Sequence, residues 1–150
     1  MVIEKGRVAD APKILATVNA FAARGLMLPR SLNDVYRNLR DFYVCREDGE
    51  IVGCAALTIG WGGLGEIRSV AVNAENHRKG IGKALVEKCL EEARQLGMEQ
   101  VFVLTYVPDF FAIFGFVECS KDDLPHKVWA DCLNCPKFPD CDEIAMIMKL

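Results

Sequence analysis

Apolar and polar positions along the chain fall into blocks that predict strands separated by helices. Residues 2–8 alternate as a strand does, and Ile14, Leu15, Val18, Phe21 and Ala22 recur at helical spacing. Asp10 stands where an N-cap belongs, Pro12 falls in the first turn, and Gly25 suits the stop. Ser31 is placed to cap a second helix carrying Leu32, Val35, Tyr36 and Leu39. Glu47-Asp48-Gly49-Glu50 is a hairpin turn between strands over 42–46 and 51–59. Trp61-Gly62-Gly63 turns the chain into a strand over 66–72. A long amphipathic helix then runs through Leu90 and Ala93 to Gly97. A strand over 101–105, a short helix near 109–114, and strands over 116–119 and 143–150 complete the pattern. This order predicts an α/β (α+β) fold, a mixed sheet with helices on both faces.

Composition narrows the class. The 150 residues suit one domain over 1–150 with a substantial core. Hydrophobic residues at 51% and charged residues at 26% are globular values. A net charge of −3 argues against a general binder of nucleic acid or anionic membranes, so any basic cluster reads as a local site. Residues 51–65 carry no charge but are glycine-rich and shorter than the ~20 residues a spanning helix needs. Met1-Val2-Ile3-Glu4-Lys5 lacks signal-peptide character. Seven cysteines, several within apolar runs, read as reduced thiols of a cytoplasmic protein.

The run His77-Arg78-Lys79-Gly80-Ile81-Gly82-Lys83 carries the chemistry, because it joins a strand to a helix start. The first N–H groups of a helix lack intrahelical partners, and the helix dipole adds partial positive charge there. Such a mouth holds a phosphate, and Gly80 and Gly82 let the anion approach the backbone. Arg78, Lys79 and Lys83 add full charges. The plain alternative is a basic loop leading into a surface helix.

The strand, this turn and a later Phe110-Phe111-Ala112-Ile113-Phe114-Gly115-Phe116 segment together resemble the GNAT superfamily of acetyl-CoA-dependent N-acetyltransferases. That family's signature is Gln/Arg-x-x-Gly-x-Gly/Ala after a strand, followed later by Gly-Phe. Here it reads His77-x-x-Gly80-x-Gly82, with His77 departing from the first position. The resemblance implies a mixed, mostly antiparallel central sheet with acetyl-CoA as co-substrate. It also implies Glu66 as the base that takes the amine proton, Val70 N–H facing the acetyl carbonyl and Val72 pairing with the pantetheine amides. On the residues alone, Glu66 reads as a strand-end carboxylate facing solvent or paired with Arg68. The family's usual general-acid tyrosine falls on Phe111, which has no proton to give. Tyr106 is the nearby substitute, with a rim tyrosine or water as alternatives.

The stretch Gly25-Leu26-Met27-Leu28-Pro29-Arg30-Ser31, with Cys54-Ala55-Ala56-Leu57 and Gly65-Glu66-Ile67, resembles the acetyltransferase domain of N-acetylglutamate synthases. This implies L-glutamate as acceptor, Arg30 as ligand of its carboxylate, and the first step of arginine biosynthesis as the role. The chain resembles a short, stand-alone form without the amino-acid-kinase-like domain. Lys127 or Lys137 would meet the second carboxylate. Two alternatives stay open: acetylation of another small amine or a protein N-terminus, and a non-catalytic acetyl-CoA-binding regulatory module. A homodimer is common in the family. The cysteine-bearing segment at about 126–142 places Cys132, Cys135, Cys141 and His126 near one another in sequence. Zinc, a disulfide or reduced thiols all fit that spacing, and no metal is assigned.

Overall fold

The structure is a computed structural model that describes residues 1–23, 30–60, 62–77, 79–124 and 142–150. The elements are β1 (Val2–Lys5), α1 (Ala11–Ala22), α2 (Leu32–Arg37), β2 (Phe42–Glu47), β3 (Glu50–Ile59), β4 (Leu64–Val72), α3 (Ile81–Gln95), β5 (Gln100–Thr105), α4 (Pro108–Ala112), β6 (Val117–Glu118) and β7 (Ile144–Lys149). Among the described residues, seven strands form one sheet in the order β1-β2-β3-β4-β5-β7-β6. Neighbours are antiparallel except β4 and β5, which run parallel across the α3 connection. The expected mixed, mostly antiparallel sheet is therefore present. No helix among the described residues is long and apolar enough to cross a membrane.

Helices cover both faces. On one, Ile81, Leu85 and Cys89 of α3 pack on Ala55, Leu57, Ile67 and Val72. On the other, Ile14 and Val18 of α1 and Val35 of α2 pack on Phe42, Val44, Ala56 and Ala71. The first turn of α3 lies so close to β3 that a Cβ on Gly53 would stand 3.1 Å from Ala71 O and 3.2 Å from Ile81 Cγ2. That contact fixes the mouth of α3 against the centre of the sheet.

Ser31 caps α2 as expected, its Oγ accepting from Asp34 N at 3.1 Å. Asp10 does not cap α1. Its carboxylate instead accepts from Arg7 N at 2.8 Å and from Arg46 Nη1 at 3.0 Å. A half-buried guanidinium is the stronger partner, so the carboxylate turns to the sheet and residues 8–10 wind into a 3-10 turn that cuts the strand expected over 2–8 to Val2–Lys5. β4 begins two residues earlier than expected, where Leu64 and Gly65 pair with Gln100 and Val101. Glu66 is thus inside the strand and only 7% exposed.

Candidate active site

The site grows out of an irregularity in β4. Ile67 and Val72 both pack under α3, although they stand five positions apart. Strict alternation would send them to opposite faces. The register shows how this is resolved: Ala56 pairs with Arg68 and Cys54 with Ala71, so Ser69 and Val70 together oppose Ala55. This is a β-bulge. Ser69 adopts φ +57°, and Asp48 in the hairpin turn is the other non-glycine residue with positive φ among those described. One consequence is that Glu66, Arg68 and Ser69 all face the α1–α2 side.

The second irregularity is on the other edge. Leu64, Gly65 and Glu66 pair with Gln100, Val101 and Phe102, and the parallel ladder ends there. β4 continues to Val72 and β5 to Thr105. Val70 and Val72 therefore lie beyond the last rung, in the opening where β4 and β5 cease to pair, and Val72 O there lies 2.7 Å from His77 Nε2.

The mouth of α3 lies next to this opening. Gly80 is its N-cap residue at φ +76°, a left-handed position that favours glycine, with no side-chain cap. Gly82 has no such need: a Cβ there would meet Phe110 Cζ at 3.5 Å, an ordinary contact. The amides of Ile81, Gly82 and Lys83 are the first of the helix and have no partner within it. His77 turns inward, its Nε2 lying 2.7 Å from Val72 O, and so ties the loop to the end of β4. Lys79 leans 3.7 Å from Glu47, and Lys83 4.0 Å from Glu87. Both pairs are exposed and weakly held, which leaves the charges available to an anion. Arg78 lies outside the described residues.

The α2 side of β4 is polar and connected. Glu66 is buried, with Arg68 Nη1 4.0 Å from its Oε1. Arg30 donates from Nε to Asp34 Oδ2 at 2.6 Å and from Nη1 to Ser69 Oγ at 2.9 Å, and its side chain is 6% exposed. Burial pushes the Asp34 carboxyl up, and the Arg30 hydrogen bond and charge outweigh it, leaving the group below its ordinary range. Asp41, which accepts from Thr58 at 3.4 Å, is raised by burial. Sequence reasoning named Arg30, Arg68 and Glu66 but missed Asp34, Asp41 and Ser69. The i,i+4 spacing of Arg30 and Asp34 was a usable signal; nothing local marked Ser69.

Tyr106 stands just past β5 and donates its hydroxyl to Asp142 Oδ1 at 2.6 Å. Phe111 is a core residue, edge-on to Phe110 and Phe116. The Gly-Phe pair has a structural reason: Gly115 turns at φ +105° so that Phe116 can bury beneath α3. Cys54 and Cys89 are buried free thiols, each pushed up to about 12 by burial. Gly25, Trp61, His126, Lys127, Cys132, Cys135, Lys137 and Cys141 lie outside the described residues.

This geometry agrees with what the chain is similar to. Residues 21–116 match the acetyltransferase (GNAT) family. An uncharacterized N-acetyltransferase of Chlorobaculum tepidum is 42% identical over 148 residues, covering 99% of this chain and 96% of that protein. An amino-acid acetyltransferase of Mycobacterium tuberculosis is 39% identical over 85% of this chain and 75% of its own length. Among solved structures, the N-acetylglutamate synthase of Neisseria gonorrhoeae complexed with coenzyme A and N-acetyl-glutamate superposes with a TM-score of 0.90 at 26% identity. That match covers 99% of this chain and 35% of the synthase chain. A bulged and splayed β4 beside a glycine-built helix mouth, together with these likenesses, makes the chain a member of the acetyltransferase (GNAT) family.

Proposed function

We propose that this acetyltransferase moves the acetyl group of acetyl-CoA onto the amino group of L-glutamate, by direct attack and without an acyl-enzyme. The observation that carries the reading is the buried carboxylate of Glu66, on the same bulged strand as Val70 and facing a side that bears two guanidiniums. The relatives named amino-acid acetyltransferase and the synthase solved with N-acetyl-glutamate support glutamate as acceptor. The role is then the first step of arginine biosynthesis.

Most amines are protonated at neutral pH, so attack requires a base. Glu66 takes the amine proton, directly or through water. The nitrogen lone pair then adds to the thioester carbonyl carbon, and the carbonyl electrons move onto oxygen. Val70 N–H meets that oxyanion; a main-chain donor held by the sheet needs little reorganisation as charge develops. Collapse of the intermediate breaks the C–S bond and releases coenzyme A thiolate, and the extra proton on the nitrogen passes to water, leaving the neutral N-acetyl product. Tyr106 is the donor for the thiolate, for which its bond to Asp142 must be shared or broken. The amides of Ile81, Gly82 and Lys83 hold the diphosphate, with Lys79 and Lys83 adding charge and His77 anchoring the loop. Val72 aligns the pantetheine arm. The positive charge of Arg30 and Arg68 suits an acceptor bearing carboxylates.

Thiol release from acetyl-CoA, screened over free amino acids, spermidine and short peptides, tests this. Turnover with glutamate well above the others is expected. Preference for spermidine or a peptide N-terminus overturns the acceptor.

A further inference from the structure

We infer that Arg30 is a positioning residue for the acetyl-transfer step, acting through Ser69 to hold the β4 bulge, and not only a charge on the acceptor side. The inference rests on the reading above in which Val70 N–H receives the thioester oxygen.

The bulge is costly to maintain. Serine is not among the residues that favour the left-handed region, and holding a non-glycine residue there is unfavourable. Such a conformation persists only when its surroundings impose it. At Ser69 (φ +57°) they do so from two sides. Arg30 Nη1 donates to the Ser69 hydroxyl at 2.9 Å, and Cys54 Sγ donates to the Ser69 carbonyl at 3.5 Å.

Arg30 is itself fixed along its whole length. Asn19 of α1 brackets its backbone, accepting from Arg30 N at 3.1 Å and donating to Arg30 O at 3.2 Å. Its guanidinium lies 5.0 Å from the centre of the Phe42 ring, and Asp34 takes its Nε. Asp34 is steadied in turn by Asn38 Nδ2 at 2.8 Å. α1 thus holds the backbone and α2 the side chain of one residue, whose outer end grips the bulged residue. Val70 follows Ser69 directly, so the direction of its N–H depends on the torsions that this grip maintains. A guanidinium 6% exposed, with two of its three nitrogens already bonded inside the protein, is built as a strap more than as an open receptor.

A double-mutant cycle separates the two roles. Arg30→Lys keeps a positive charge but cannot bond Asp34 and Ser69 together, and it is expected to lower kcat about tenfold. Ser69→Ala should lose a similar amount, whereas Ser69→Gly, which tolerates φ +57° unaided, should lose less. In the Ser69→Gly background, Arg30→Lys should cost less than about a further twofold in kcat. A second readout is the Val70 amide resonance of the free protein, expected to shift in Arg30→Lys and far less in the double variant. A pure carboxylate ligand behaves otherwise: KM for glutamate rises with kcat unchanged, equally in both backgrounds, and Val70 does not move. That result overturns the inference. Should glutamate not be turned over at all, the acceptor assignment fails alone. The cycle is then read with the amine that is accepted, and by the Val70 resonance if none is.

Discussion

The two faces of β4 are made of different material. Towards α3 it presents Ile67, Val70 and Val72 to a closed apolar core. Towards α2 it presents Glu66, Arg68 and Ser69, tied to Arg30 and Asp34. A regular strand could not place Arg68 and Ser69 on one side and Val70 and Val72 on the other. The added residue of the bulge does this, and pairing with β5 ends at Glu66. The apolar face seats α3, whereas the polar face and the opening carry the chemistry proposed above.

Removing the proposed base breaks this contrast most directly. Glu66→Gln keeps the shape of the polar face and should lower kcat/KM by about 10²–10⁴ at neutral pH. Thermal stability should change little.

A polar cluster away from the opening provides the opposite case. Asp10, 8% exposed, is bonded by Arg46, and this hydrogen bond is the main reason its carboxyl lies below the ordinary 3.8, against the opposing effect of burial. For a carboxyl lowered by folding, the linked stability is full above the unfolded value and is lost as pH falls through the folded one. Asp10→Asn should therefore cost about 3 kcal/mol at pH 7. The deficit should shrink towards pH 3, measured by denaturant titration, and kcat of the folded protein should hold.

Gly82→Asp sharpens the coenzyme side. A carboxylate in the first turn of α3 favours the helix dipole, so folding is not penalised, yet it repels a diphosphate at the same mouth. KM for acetyl-CoA should rise about tenfold or more, with KM for the acceptor nearly constant. A parallel rise in both constants would place the diphosphate elsewhere.

Legibility followed the same division. Periodicity located the strands, the α3 mouth and the apolar stripes, because burial repeats along a sequence. Ser31 was readable as a cap because capping is local. Asp10 was misread, since Arg46 competes from a strand 36 residues away. The bulge left a faint trace in the spacing of Ile67, Val70 and Val72, three then two residues, which no simple period matches. Ser69 was invisible because its importance lies in a torsion and in a guanidinium 39 residues distant. The resemblance brought Glu66 and Arg30 to attention, but their burial and partners had to come from the fold.

A backbone amide spectrum of the protein titrated with acetyl-CoA tests the central claim most directly. The largest changes should fall on Val70, Val72 and the first-turn amides Ile81, Gly82 and Lys83, while the paired rungs at Leu64 and Gly65 stay nearly still. Saturable binding that leaves Val70 and the α3 mouth unmoved, with changes gathered instead around Lys13, Thr17 and Asn73 in the groove beside α1, would contradict it.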